Sequence, residues 1–298
     1  MLLHESQKCF NITKRQITSE ETWMNVMAAP PELPPGPPPE VPPEELPTKG
    51  GRTAYRVLLI VLLASLLLFT LVVVFPLLTT SRNQQLISSF WSGYTVASDL
   101  NYPQPNVTGV NGSWTVPTVN VSNRNSFSVA WIGIGGQFDG TLIQVGTEQD
   151  SARGHGAYSA WYELLNASAV TISSLSIMPG DRITGSIRLL DLSKSIWSIE
   201  IYDVTNEESF QKNVSYPSSM LSAEWIVERP IINTLPTTLA DFGQITFTRC
   251  TAAISGIVGT VGSFPHIQVL MYSLQNAQLV NVSPLTSNGS SFTVNYLD

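Results

Sequence analysis

The sequence predicts an all-β domain, a sandwich or a barrel, preceded by one transmembrane helix. Two features carry this reading. From Trp91 onward the chain is a series of short apolar alternations broken by turn residues, with no sustained helical period. Between Val57 and Leu78 it carries no charge at all.

The strand runs follow in order. Phe127–Gly133 reads FSVAWIG, and Val170–Ser173 is closed by the Pro179-Gly180-Asp181 turn. Ile183–Leu190, Trp197–Tyr202, Ile245–Thr248 and Ser291–Tyr296 continue the series. Short strands with turn signals roughly every 8–12 residues belong to sandwiches and barrels.

The apolar stretch VLLIVLLASLLLFTLVVVFPLL would be about 33 Å long as a helix, against a hydrocarbon core of about 30 Å. It is longer than a signal-peptide core and begins too far along the chain to be one. Lys49, Arg52 and Arg56 precede it and only Arg82 follows closely. The positive-inside rule then places the N-terminus in the cytoplasm and the large domain outside, on a single-pass anchor in the cell membrane.

The chain is therefore expected to divide into four parts: a cytoplasmic Pro-rich disordered tail (1–54), a signal-anchor helix (55–80), a short stalk (81–90) and the β-domain (91–298). Ten of the 20 prolines lie between Pro30 and Pro47, a composition that gives an extended spacer. Sequons at Asn106, Asn111, Asn120, Asn166, Asn213, Asn281 and Asn288 all fall on the predicted outer side. Cys9 and Cys250 flank the anchor and cannot pair, so Cys250 reads as a small buried hydrophobe.

Several chemistries lack their residues. A net charge of −7, with eight scattered basic residues beyond Arg82, offers no nucleic-acid footprint. The domain's histidines, His155 and His266, are isolated, and no His-Glu-x-x-His occurs, so no metal and no cofactor is expected. Neither Gly-x-Ser-x-Gly nor the Asp-Thr-Gly and Asp-Ser-Gly turns of paired-aspartate enzymes is present. A Ser-His-Asp triad would have to recruit one of those two histidines.

What remains is a set of blocks in one order. They are Trp91-Ser92-Gly93-Tyr94, Ala130-Trp131-Ile132-Gly133-Ile134-Gly135-Gly136, Leu142-Ile143-Gln144-Val145-Gly146-Thr147 and Ala160-Trp161-Tyr162-Glu163. Ala223-Glu224-Trp225-Ile226-Val227-Glu228 and Leu239-Ala240-Asp241-Phe242-Gly243 complete it. Together they resemble the glutamic peptidase (eqolisin) family. The resemblance implies an antiparallel β-sandwich of two curved sheets and endopeptidase activity on protein or peptide substrates, at acid pH.

It also implies roles. Glu228 would be the general base on a bound water and then the acid toward the leaving amine. Gln144 would orient the water and donate to the oxyanion. Strand alternation puts Glu224 on the same face as Glu228, where two carboxyls near tryptophans shift each other's pKa. Trp131 and Trp161 divide between core and groove wall, and Glu163 reads as a carboxyl supporting the pair.

Two positions depart from the fungal members: Gly135 stands where they commonly have Asp, and Glu228-Arg229-Pro230 where they commonly have Glu-Asp. Both remove an acid near the site. Two other readings of the same domain are a catalytically silent module that grips peptide or glycan, and a structural envelope protein.

Overall fold

The computed structural model describes residues 49–70, 83–232 and 234–297. These fall into two units, one holding a helix and the other the β-domain. Helix α1 spans Lys49–Phe69, and its side chains from Leu58 to Phe69 are exposed. Among the described residues no helix is long and apolar enough to cross a membrane. Residues 1–48 of the predicted tail, with Cys9, and the C-terminal part of the predicted span lie outside them, while the tail's last residues, 49–54, belong to α1 and not to a disordered segment.

The β-domain has two large sheets. The first runs, in spatial order, β1 (Asn83–Ser88), β16 (His266–Met271), β2 (Trp91–Val96), β11 (Ala223–Glu228), β4 (Val129–Gly135), β5 (Leu142–Ala152), β6 (His155–Leu164) and β7 (Val170–Thr171). The second runs β10 (Glu208–Ser215), β9 (Ile196–Asp203), β8 (Arg182–Asp191), β3 (Val107–Thr115), β14 (Gln244–Ile254), β18 (Phe292–Tyr296) and β17 (Val280–Val282). Strand β15 (Ile257–Thr260) pairs β14, and β12 (Ile231–Ile232) with β13 (Leu235–Pro236) makes a small hairpin.

Alternation decides which residues meet between the sheets. Ile132, Ile134, Ile143, Val145, Trp225 and Val227 of the first sheet share one cluster with Val110, Trp114, Ile183, Ile187, Ile199 and Phe247 of the second. Two indoles also cross the gap. Trp225 Nε1 donates to the Asn111 carbonyl on β3 (2.8 Å), and Trp114 Nε1 donates to Thr147 Oγ1 on β5 (2.9 Å). The architecture is a β-sandwich, and each predicted strand run coincides with or overlaps a strand.

Two expectations change. The stalk at 81–90 is not an unpaired linker: Asn83–Ser88 lies parallel to β16 as the outermost strand of the first sheet. It is the exception to an otherwise antiparallel sandwich. The alternation also fails to divide wet from dry on the first sheet, because all seven residues of β4 are buried. Cys250 is fully buried, as a small hydrophobe would be, and burial raises its thiol far above the ordinary range.

Trp225 gives a direct test of how the layers are held. Trp225→Phe keeps most of the apolar volume but removes the indole donor, and should cost about 1–3 kcal/mol in urea unfolding. Trp225→Ala should cost about 3–5 kcal/mol. Equal losses in the two variants would show that the inter-sheet hydrogen bond contributes nothing separable from volume.

Candidate active site

The site is written in the register of five strands. On the face of the first sheet turned away from the second, residues line up in rungs. One rung runs Thr95, Glu224, Gly133, Gln144 and Glu163 across β2, β11, β4, β5 and β6. The next runs Gly93, Ile226, Trp131, Gly146 and Trp161 across the same strands. The third runs Trp91, Glu228, Val129, Glu148 and Ser159. Every site residue expected from the sequence thus lies on one face within three rungs.

The middle rung is an apolar floor. Trp131, Trp161, Ile226, Val129 and Leu142 form a cluster separate from the inter-sheet core, with Trp91 packed against it. Trp131 and Trp161 are therefore buried and also part of the site, so the choice between core and groove wall dissolves. Gly133 makes room for the Trp131 indole, and Gly146 for the β4 chain at Ala130 and Trp131. A Cβ on Gly146 would lie 2.6 Å from Trp131 Cβ, and one on Gly133 would lie 2.8 Å from Trp131 Cζ3.

That indole links the outer rungs. Its Nε1 donates to Glu228 Oε2 at 2.9 Å, while its far edge rests on Gly133, the register partner of Gln144. Trp91 packs edge-on against Trp131, with ring centroids 5.1 Å apart. At the other end, Gln144 Nε2 donates to Glu163 Oε2 at 2.6 Å. One amide hydrogen of Gln144 is thereby used, and its Oε1 has no partner among the described residues.

Burial sets the electrostatics. Glu228 is half-buried, and removal from water pushes its carboxyl up to about 8. The Trp131 hydrogen bond opposes that rise, and the charge of Glu163 adds to it. Burial likewise pushes Glu163 up to about 7, against the Gln144 hydrogen bond. Glu224 shares the face but not the exposure. It is fully buried, with no hydrogen-bond partner for either oxygen among the described residues, and burial raises its carboxyl well above the ordinary range. The nearby Ser222 hydroxyl opposes that rise, and the charge of Asp139 adds a smaller one.

Three residues here had escaped the sequence reading. Trp91 stood only as part of an opening strand. Glu148 and Asp150 continue the Gln144 face of β5, and Asp150 is raised by burial and then by the neighbouring Glu148. Their signal was available, since positions 144, 146, 148 and 150 share one face of any strand. A cleft of about 860 Å³ lies elsewhere, at the β1–β16 edge among Gln84, Gln268 and Asn288. It holds none of the acids, so chemistry and not volume locates the site.

Comparison with known proteins agrees with this geometry. Residues 89–296 match the Peptidase A4 family. The chain is 29% identical to aspergillopepsin-2 of Aspergillus niger over 234 residues, covering 70% of this chain and 78% of that protein. Its fold is similar to scytalido-glutamic peptidase with a transition state analog inhibitor, at TM-score 0.59 and 22% identity, over 70% of this chain and 99% of the other. Aspergilloglutamic peptidase from Aspergillus niger aligns at TM-score 0.51 and 28% identity, over 58% of this chain and 99% of that one. The chain belongs to the Peptidase A4 family, the glutamic peptidases. It is a glutamic endopeptidase in class.

Glu224 makes a stability test. In the unfolded chain it ionises near 4.5, but folding raises its pKa well above that value. The folded state then binds a proton that the unfolded state has released, and stability falls as pH rises between the two pKa values. Glu224→Gln removes that fall. The variant should gain on wild type between pH 4 and pH 7 in urea unfolding, at up to about 1.4 kcal/mol per pH unit. A constant difference between the two proteins across that range would show that Glu224 does not titrate on folding.

Proposed function

We propose that Glu228 is the general base and acid of peptide-bond hydrolysis and that Gln144 is its partner. The observation that carries this is the single indole joining them, hydrogen-bonded to Glu228 and resting on the strand neighbour of Gln144. Glu228 Oε1 takes the proton of a water as that water attacks the carbonyl. The same carboxyl then returns the proton to the amine as the C–N bond breaks. Gln144 has a second amide hydrogen for the developing oxyanion and Oε1 for the water. Glu163, gripping the first hydrogen, fixes which way the amide faces.

The substrates are proteins or peptides outside the cell. The enzyme is held there by a single span at 55–80, a reading supported by the uncharged run from Val57 to Leu78 and the basic residues before it. Protease added to intact cells should remove the domain and spare the Pro-rich tail. Digestion of the tail with protection of the domain would reverse the orientation.

The acid working range expected from the family shifts upward in this site. The base must be ionised, and burial raises Glu228, so activity should fall as pH drops through its pKa. Trp131→Phe removes a donor that favours the carboxylate, and should move the acid limb of kcat/KM to higher pH. Glu163→Gln removes a like charge and should move that limb to lower pH. Shifts in the same direction for both variants would exclude Glu228 as the titrating group.

Glu228→Gln keeps the shape and removes the proton carrier, so turnover of a denatured protein should drop about 10²–10⁴-fold. Gln144→Ala should lose about 10²–10³-fold. Because both act on one intermediate, the double variant should lose much less than the product of the two. Pepstatin should not inhibit, as no paired-aspartate turn is present. A Glu228→Gln protein that folds, by circular dichroism, and turns over near the wild-type rate would end this assignment.

A further inference from the structure

Arg229 follows Glu228 but points to different business. It is only 8% exposed, yet among the described residues no carboxylate lies within ion-pair distance of its guanidinium. Its Nε donates to the Ser89 carbonyl at 2.7 Å, and Nη1 donates to the Thr237 carbonyl at 3.3 Å. A guanidinium has five N–H donors in a fixed fork, so three remain unspent. A buried cation without a counter-charge is costly unless something anionic meets it.

A place for that anion adjoins it. Arg229, Thr237, Thr238, Ser273 and Gln275 border a cleft of about 330 Å³. Thr237 Oγ1, buried and without a partner among the described residues, belongs to the same wall. Leu274 supplies an apolar side. The cleft thus offers one planar cation, hydroxyls, an amide and hydrocarbon in its lining. Planar forks match carboxylates in two-point contact, and the apolar side suits a carboxylate carried on an aliphatic residue.

We propose that this cleft binds a carboxylate at the C-terminal end of a short peptide, with Arg229 as its anchor and Thr237 as a hydroxyl donor. The site is separate from the acid pair: none of Gln144, Glu163, Glu224 and Glu228 lines the cleft, and Arg229 lies just beyond the end of β11. It does not rest on the catalytic assignment.

The test is calorimetric titration of the purified full chain with N-acetyl-leucine, N-acetyl-leucinamide and inorganic phosphate. The acid should bind saturably and the amide should not. Arg229→Met should weaken the acid by about tenfold or more, the loss of a charged hydrogen bond, and Thr237→Val by a few-fold. Equal binding of acid and amide, or undiminished binding by a folded Arg229→Met, would overturn the site. Phosphate binding more tightly than the acid would overturn the carboxylate assignment. Should Arg229→Met fail to fold, Thr237→Val decides, since it leaves the charge in place: no loss of affinity there ends the proposal.

Discussion

An indole packed over a glycine is the constraint on which the site's geometry depends. A Cβ at Gly133 would lie 2.8 Å from Trp131 Cζ3, so the bare position lets the ring reach the rung of Gln144. One side chain then extends from Glu228, which its N–H meets, to the strand neighbour of Gln144. The floor also excludes water, and exclusion of water is what raises the carboxyls. Geometry and electrostatics here have one cause.

That cause acts unequally on three glutamates of the same face. Glu224 is sealed, with no hydrogen-bond partner for its oxygens among the described residues, Glu163 is bonded to an amide, and Glu228 is half-buried and bonded to an indole. Burial raises all three. Exposure and hydrogen bonding then set them apart, one sealed, one bonded to the Gln144 amide and one half-buried beside the Trp131 indole. A sheet can hold this many acids in little space because each strand sets its side chains at fixed intervals and the rungs fix the spacing across.

Much of this was readable in the sequence, and what was not has a physical reason. The blocks around Gln144 and Glu228 specified their strands, and period-two alternation placed Glu224 and Glu228 on one face. Alternation does not state which face is wet, and here both are covered, so the contrast between Glu224 and Glu228 could not be read from spacing. Trp91 escaped for a different reason. Its neighbours in the site come from strands about 40 and 137 positions further along, and only register brings them together. The residues at 83–88 read as stalk because a polar, six-residue stretch has no alternation of its own; the edge of β16 makes it a strand.

That borrowed strand has a consequence for the sheet's perimeter. The family match begins at residue 89, so β1 lies outside it. Without it, β16 would end the first sheet, with backbone donors and acceptors along His266–Met271 open to any passing strand. With it, the exposed margin passes to a short segment whose Gln84 and Gln85 are polar and whose Ile87 is 62% exposed. A domain trimmed to the family boundary would keep its acids and its floor, and would gain an adhesive border.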